Sequence, residues 1–347
     1  MLALTVLPGH EASARLDELP EPARAGGDVL VETMAVGICG TDREILSGAQ
    51  GEAAAGRERL VIGHESLGRV IEAPAGSALA AGDLVAGIVR HPDPVPCSSC
   101  AVGEWDMCKN GRYTEHGIKG RDGFAAERLV LAPAFAVRLD PRLARIGMLV
   151  EPASVVAKGW EHIAAIGRRA HWEPRRVLVT GAGPIGLLAA LMAVQRGLEL
   201  HVFDRATSGP KLDRVRELGG TYHTDLSGEG CQQADVVLEC TGAGVVVLDA
   251  IRASAPGGIV CLTGISAGRA GPVDVAGLNR ELVLENGVVF GTVNANRRHY
   301  EAAAKALLAA DAAWLERLIS RRVPLTRWQE AFESESSDVK VVIEVAA

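Results

Sequence analysis

The stretch RVLVTGAGPIGLLAALMAVQRGLELHVFDR (residues 176–205) decides how this chain folds. A short β-branched run, RVLVT, leads into glycines at 181, 183 and 186. An apolar segment of helical length follows, and then a second strand-like run that ends on Asp204. Strand, tight turn, helix, strand is a βαβ unit, whose strands lie parallel in a buried sheet. In that context the glycines have separate uses. Gly181 allows the turn, Gly183 lets a pyrophosphate approach backbone N–H groups, and Gly186 lets the helix pack closely on the strand. Pro184 and Ile185 lie within the same loop, at the helix N-terminus where phosphates bind. Asp204 can accept both ribose hydroxyls of NAD and would repel the 2′-phosphate of NADP. Arg205, next in the chain, can pair with that phosphate. The expectation is a nicotinamide dinucleotide site with NAD preferred and NADP tolerated.

The same texture continues downstream. ADVVLECTG (234–242) and GGIVCLTG (257–264) read as strands, KLDRVRELGG as a helix between strands, and GVVFGTV (287–293) closes this stretch. YEAAAKALLAADAAWLERLIS (300–320) predicts one helical stretch, and KVVIEV (340–345) one more strand. Upstream, residues 1–150 are rich in Gly and Pro, with short β-type runs such as DVLVETMAV (28–36) and LVAGIV (84–89). A β-rich domain therefore precedes a doubly wound α/β domain. At 347 residues the chain exceeds what one core usually supports, which agrees with two domains.

Composition narrows the function classes. The net charge of −7 and an aromatic content of 4% argue against nucleic acid as the main partner. No apolar run is long enough to cross a bilayer, and MLALTVLPGHEASARL lacks the basic start and apolar core of a secretory signal. Seven cysteines, an odd number, do not make a disulfide framework. The expected setting is a reducing cytoplasm, with thiols free for other work.

Two clusters of metal-ligand residue types stand out. LVIGHESLGRV (60–70) places His64 and Glu65 side by side in an apolar segment. Cys39 lies in VGICGTD (36–42) and Glu151 in VEPAS (150–154). Together they supply a thiolate, an imidazole and two carboxylates, which suits tetrahedral zinc. Singly, each has an ordinary reading: a core thiol, a structural histidine, a carboxylate at a helix N-terminus. The second cluster is Cys97, Cys100 and Cys108 in PVPCSSCAVGEWDMC (94–108). A structural zinc normally takes four ligands, so His91, Asp93 or Asp106 would have to complete it, the alternative being a metal-free loop.

These motifs in this order (GICGTDRE at 37–44, GHE at 63–65, the cysteine lobe, EP at 151–152 and GAGPIG at 181–186) resemble the zinc-dependent medium-chain dehydrogenase/reductase superfamily. The segments TDREI (41–45), EHGIKGRDGF (115–124) and VNANRRH (293–299) resemble its microbial glucose (aldose) 1-dehydrogenases. The resemblance implies a GroES-like catalytic domain over 1–160 and 293–347, with a lobe loop near 91–112, and a Rossmann domain over 161–292. It implies Cys39, His64, Glu65 and Glu151 around a catalytic zinc, a proton route that begins at Thr41 and passes the cofactor ribose or else runs through Glu65, and Glu115, Asn294 and His299 against a sugar. Pro94 stands where the family's first lobe cysteine would be, which leaves a structural zinc at Cys97, Cys100 and Cys108 an open alternative. The implied reaction oxidises an aldose, D-glucose first, at C1 to the lactone, with hydride passing to NAD(P), in a homodimer or homotetramer. The rivals are a polyol or secondary-alcohol dehydrogenase on the same scaffold, and a non-redox protein that binds zinc and nucleotide.

Overall fold

A computed structural model describes residues 1–266 and 273–346; residues 267–272 of the expected Rossmann range, and Ala347, lie outside the described residues. The chain forms two compact units, Met1–Ser154 with Asn294–Ala347, and Val155–Val293.

In the second unit the strands expected from the sequence form one all-parallel sheet. Its order is Thr221–His223, Glu199–Phe203, Arg176–Thr180, Ala234–Glu239, Ser254–Leu262, Val288–Gly291. Counted along this unit, that is 3-2-1-4-5-6, the doubly wound order of dinucleotide-binding sheets. The order reverses between Arg176–Thr180 and Ala234–Glu239, so the Gly181–Gly186 loop opens at the switch point. The short strand Thr221–His223 is not legible in the sequence, since TYH carries no apolar run. Helix Pro184–Val194 is buried from Gly186 to Ala193, as its uniformly apolar sequence requires.

The first unit is built on a seven-stranded sheet. Its central strand, Val29–Ile38, pairs antiparallel with Glu65–Glu72, Arg128–Leu131 and Lys340–Glu344. Val29–Ile38 alternates buried and less buried residues until its last four, all buried. That end carries the chain through Cys39 into helix Gly40–Leu46. The stretch 300–320, expected to be helical, lies in two helices, Arg297–Leu308 and Ala312–Glu316. Asp311 separates them because its carboxylate accepts from Ala313 N and starts the second helix as an N-cap.

Candidate active site

Cys39 is the N-cap of helix Gly40–Leu46. Its Sγ accepts from Thr41 N at 3.2 Å, and its own N–H donates to Asp42 Oδ2 at 2.9 Å. His64 lies at the end of a tight approach: a Cβ on Gly63, which has φ +87°, would meet Val36 Cγ1 at 2.8 Å. The His64 ring places Nε2 3.1 Å from Cys39 Sγ and Nδ1 3.4 Å from Asp42 Oδ1. Asp42 is fully buried, so this one carboxylate both caps the helix and faces the imidazole. It favours a proton on Nδ1 and leaves Nε2 as the ligand nitrogen. Burial alone disfavours a charged His64, but the Cys39 sulfur and the Asp42 carboxylate raise its pKa well above the usual value.

Glu65 begins the strand Glu65–Glu72, directly opposite Gly37. A Cβ on Gly37 would sit 2.0 Å from Glu65 Oε2, so only glycine leaves room for this carboxylate. Both Glu65 oxygens accept from Lys340 Nζ, at 2.7 and 2.6 Å, and Lys340 also donates to Ile38 O at 3.1 Å. All three ammonium donors are thus used by a lysine only 1% exposed. Glu151, on the first turn of helix Val150–Gly167, is buried. Burial raises its pKa to about 7, with His64 opposing the rise and Glu65 adding to it.

The ligand atoms of Cys39, His64 and Glu65 lie within 4.8 Å of one another; Glu151 is outside that group but inside its electrostatic field. The donor set fits zinc. Tetrahedral Zn²⁺ sets a sulfur and a nitrogen ligand about 3.6 Å apart, roughly half an ångström wider than the observed sulfur–nitrogen contact. Charge points the same way. Three buried carboxylates and a thiol gather around one fixed cation, Lys340, an imbalance that a divalent cation removes. Thr41 is half-buried on the same helix, beside Cys39.

In the lobe, Cys97, Cys100 and Cys108 also converge within 4.8 Å. Cys97 Sγ accepts from Cys100 N and Lys109 N at 3.5 and 3.4 Å. None of the three expected fourth ligands joins them. The Asp93 carboxylate takes Val95 N and Asn110 Nδ2, and Asp106 Oδ1 takes Asn296 Nδ2. His91 stacks on Phe135 and contacts His116, Nε2 to Nε2 at 3.1 Å.

Glu115 and Asn294 are brought together: Asn294 Nδ2 donates to Glu115 Oε1 at 2.8 Å. Arg90, opposite Glu115 in the strand register, donates to the same oxygen from Nε at 3.0 Å and lies 2.9 Å from it through Nη2. His299 is buried at the third position of helix Arg297–Leu308, where Nδ1 accepts from Asn296 N at 2.9 Å.

In the glycine loop, Gly181 has φ +91° and Gly183 has open space where a Cβ would be. A Cβ on Gly186 would fall 1.7 Å from Gly181 O. Asp204 ties its strand to this loop: Oδ2 accepts from Ala182 N at 2.7 Å and Oδ1 from Ala206 N at 3.0 Å. Each oxygen keeps a lone pair for a further donor. Arg205 is exposed.

Asp42, Arg90 and Lys340 are the residues that sequence reading missed. Only Asp42 carried a local signal, its capping-box spacing three residues after Cys39.

Two family descriptions together match most of the chain. Residues 25–141 match the alcohol dehydrogenase GroES-like domain, and residues 144–345 match the glucose dehydrogenase C-terminus. A GroES-like unit with a converging sulfur–imidazole–carboxylate group, joined to a doubly wound dinucleotide-binding unit, defines a zinc-type medium-chain dehydrogenase. Similarity to glucose 1-dehydrogenases runs the whole length. That of Methanocella arvoryzae is 39% identical over 100% of both chains, and that of Thermoproteus tenax is 39% identical over 99% of each. The solved Haloferax mediterranei glucose dehydrogenase, in complex with NADP, Zn and gluconolactone, is 31% identical with a TM-score of 0.92 over 100% of both chains. The chain belongs to the glucose 1-dehydrogenase family. Among the described residues no helix is long and apolar enough to cross a membrane.

Proposed function

We propose that this chain oxidises D-glucose, or a closely similar aldose, at C1 to the lactone, using zinc and a nicotinamide dinucleotide. The carrying observation is the converging Cys39–His64–Glu65 donor set, with His64 and Glu65 buried, in a chain similar to glucose 1-dehydrogenases from end to end. The unit Met1–Ser154 with Asn294–Ala347 is the catalytic one, and Val155–Val293 binds the dinucleotide.

When bound, zinc supplies Lewis acidity at the C1 oxygen, and the nicotinamide accepts the hydride that leaves C1. Cys39 and His64 hold the metal, and Asp42 orients His64 through Nδ1. Glu65 and Glu151 are the exchangeable carboxylates, Glu65 restrained by Lys340. Thr41 passes the hydroxyl proton toward water, acting as a conduit because its own hydroxyl does not titrate near neutrality. Glu115, Asn294 and His299 bind the sugar. The Gly181–Gly186 loop takes the pyrophosphate, Asp204 the ribose, and Arg205 a 2′-phosphate, so NAD is preferred and NADP is accepted. We further infer a cytoplasmic homo-oligomer.

The test is nicotinamide reduction followed by absorbance with a panel of aldoses, polyols and secondary alcohols. Glucose turns over and methyl glucoside, blocked at C1, does not. Equal rates with the two would overturn the C1 assignment, and preference for a polyol would move the enzyme to another substrate class.

A further inference from the structure

Among the described residues, every hydrogen bond to the Glu115 carboxylate converges on one oxygen. Arg90 Nε, Arg90 Nη2 and Asn294 Nδ2 all lie within 3.0 Å of Oε1. An arginine that pairs with a carboxylate for stability presents its fork to both oxygens. Here it meets a single oxygen side-on, and the second, Oε2, is left free to accept from a ligand. Arg90 has no latitude to do otherwise. Its Nη1 donates to Asp106 O at 3.3 Å, and its guanidinium lies over the Tyr113 ring at 3.7 Å. Both partners are buried, Arg90 at 5% exposure and Glu115 at 8%.

Two backbone features show that the arrangement is held in place. Asn294 adopts a left-handed conformation, φ +61°, with its Oδ1 accepting from Ala295 N, and such strain persists where the surroundings fix it. The strand that carries Glu115 is pressed against the metal-ligand corner: a Cβ on Gly117 would meet Gly63 O, next to His64, at 2.4 Å. The same lobe segment that receives Arg90 also receives Asn296, whose Nδ2 donates to Gly103 O and Asp106 Oδ1.

We propose that Arg90 is a positioning residue for the reaction: it turns the Glu115 carboxylate so that Oε2 meets a sugar hydroxyl, and it anchors that carboxylate to the 103–106 segment of the lobe. The inference rests on the reading of Glu115 as a sugar contact.

The experiment uses the full-length, zinc-loaded enzyme as Arg90→Met, Arg90→Lys, Glu115→Gln and the double variant Arg90→Met/Glu115→Gln. A hydrogen bond to a charged group supports roughly a 10- to 100-fold effect on binding. Arg90→Met accordingly raises the glucose KM by about that factor, with kcat, the cofactor KM and zinc content nearly unchanged. Arg90→Lys recovers part of the loss, because an ammonium supplies charge without the side-on pair, and it keeps the test open if the methionine variant folds poorly. The double variant is no worse than Glu115→Gln alone, since both changes remove one interaction. Additive losses, or a raised cofactor KM and lost zinc together with weakened sugar binding, would overturn the inference. A normal glucose KM in Glu115→Gln overturns the reading of Glu115, and the inference with it. A raised KM there with an unaffected Arg90→Met overturns the inference alone.

Discussion

Replacing Lys340 by methionine removes the one ammonium that holds Glu65 and leaves a carboxylate only 2% exposed without a counter-ion. Methionine fills most of the same space, so the cost is electrostatic rather than a cavity. Breaking a buried ion pair from one side costs about 3–5 kcal/mol. At about 2–4 °C per kcal/mol for a unit of this size, the melting midpoint falls by about 10 °C. The perturbation is larger in zinc-stripped than in zinc-loaded protein, because a bound cation neutralises the freed carboxylate. Adding Glu65→Gln removes the unpaired charge and restores most of the loss. Thermal unfolding with and without a chelator, alongside zinc analysis, reads all three effects. A shift under about 2 °C in the stripped protein, or a double variant as unstable as the single one, would refute the view that Lys340 compensates a buried charge.

Three further outcomes follow from geometry already described. Burial, followed by mutual repulsion and Arg121, depresses His91 to about 2; burial, partly offset by Asp122 O, brings His116 to about 3. Both rings are therefore neutral in the fold. Their stabilisation is complete above pH 6.5 and is lost as pH falls from there toward 3, by up to about 1.4 kcal/mol per pH unit for each ring. His91→Phe, which keeps the stack on Phe135, halves that slope in denaturant titrations from pH 7 to 5; an unchanged slope would assign the acid lability elsewhere. For the cofactor, Asp204→Ala lowers the NAD over NADP ratio of kcat/KM by about 10-fold, and an unchanged ratio would limit Asp204 to its hydrogen bonds with Ala182 and Ala206. For the lobe, metal analysis gives about two zinc per chain if the three thiols hold a metal and about one if they do not, and Cys97→Ser removes the second only in the former case.

The dinucleotide-binding unit was legible because its information is local. A glycine loop between a strand and a helix, closed by an acid on the next strand, lies within residues 176–205. The candidate metal-ligand residues stood out one at a time, as residue types out of place in apolar segments. What links them was not. Lys340 reads as the first residue of an ordinary strand, and only the pairing of Lys340–Glu344 with Val29–Ile38 carries its side chain to Glu65. Arg90 acquires its role in the same way, through register with Glu115. Asp204 looked like a ribose ligand, and its carboxylate also locks the glycine loop through Ala182 N, a bond that depends on loop shape rather than sequence spacing. The fourth ligand of the lobe stayed open because three nearby candidates were chemically able, and each proves to be engaged by another partner.

The C-terminal origin of Lys340 also has a consequence for biogenesis. On the ribosome the whole Val155–Val293 unit is synthesised before the strand Lys340–Glu344 exists, and that strand must then insert between two others in the sheet that houses Glu65. Pairing across some three hundred residues makes this closure a step of high contact order, and hence a slow one. A nascent chain can fold its Val155–Val293 unit early, yet Glu65 stays without its lysine partner until the strand Lys340–Glu344 has been made and paired.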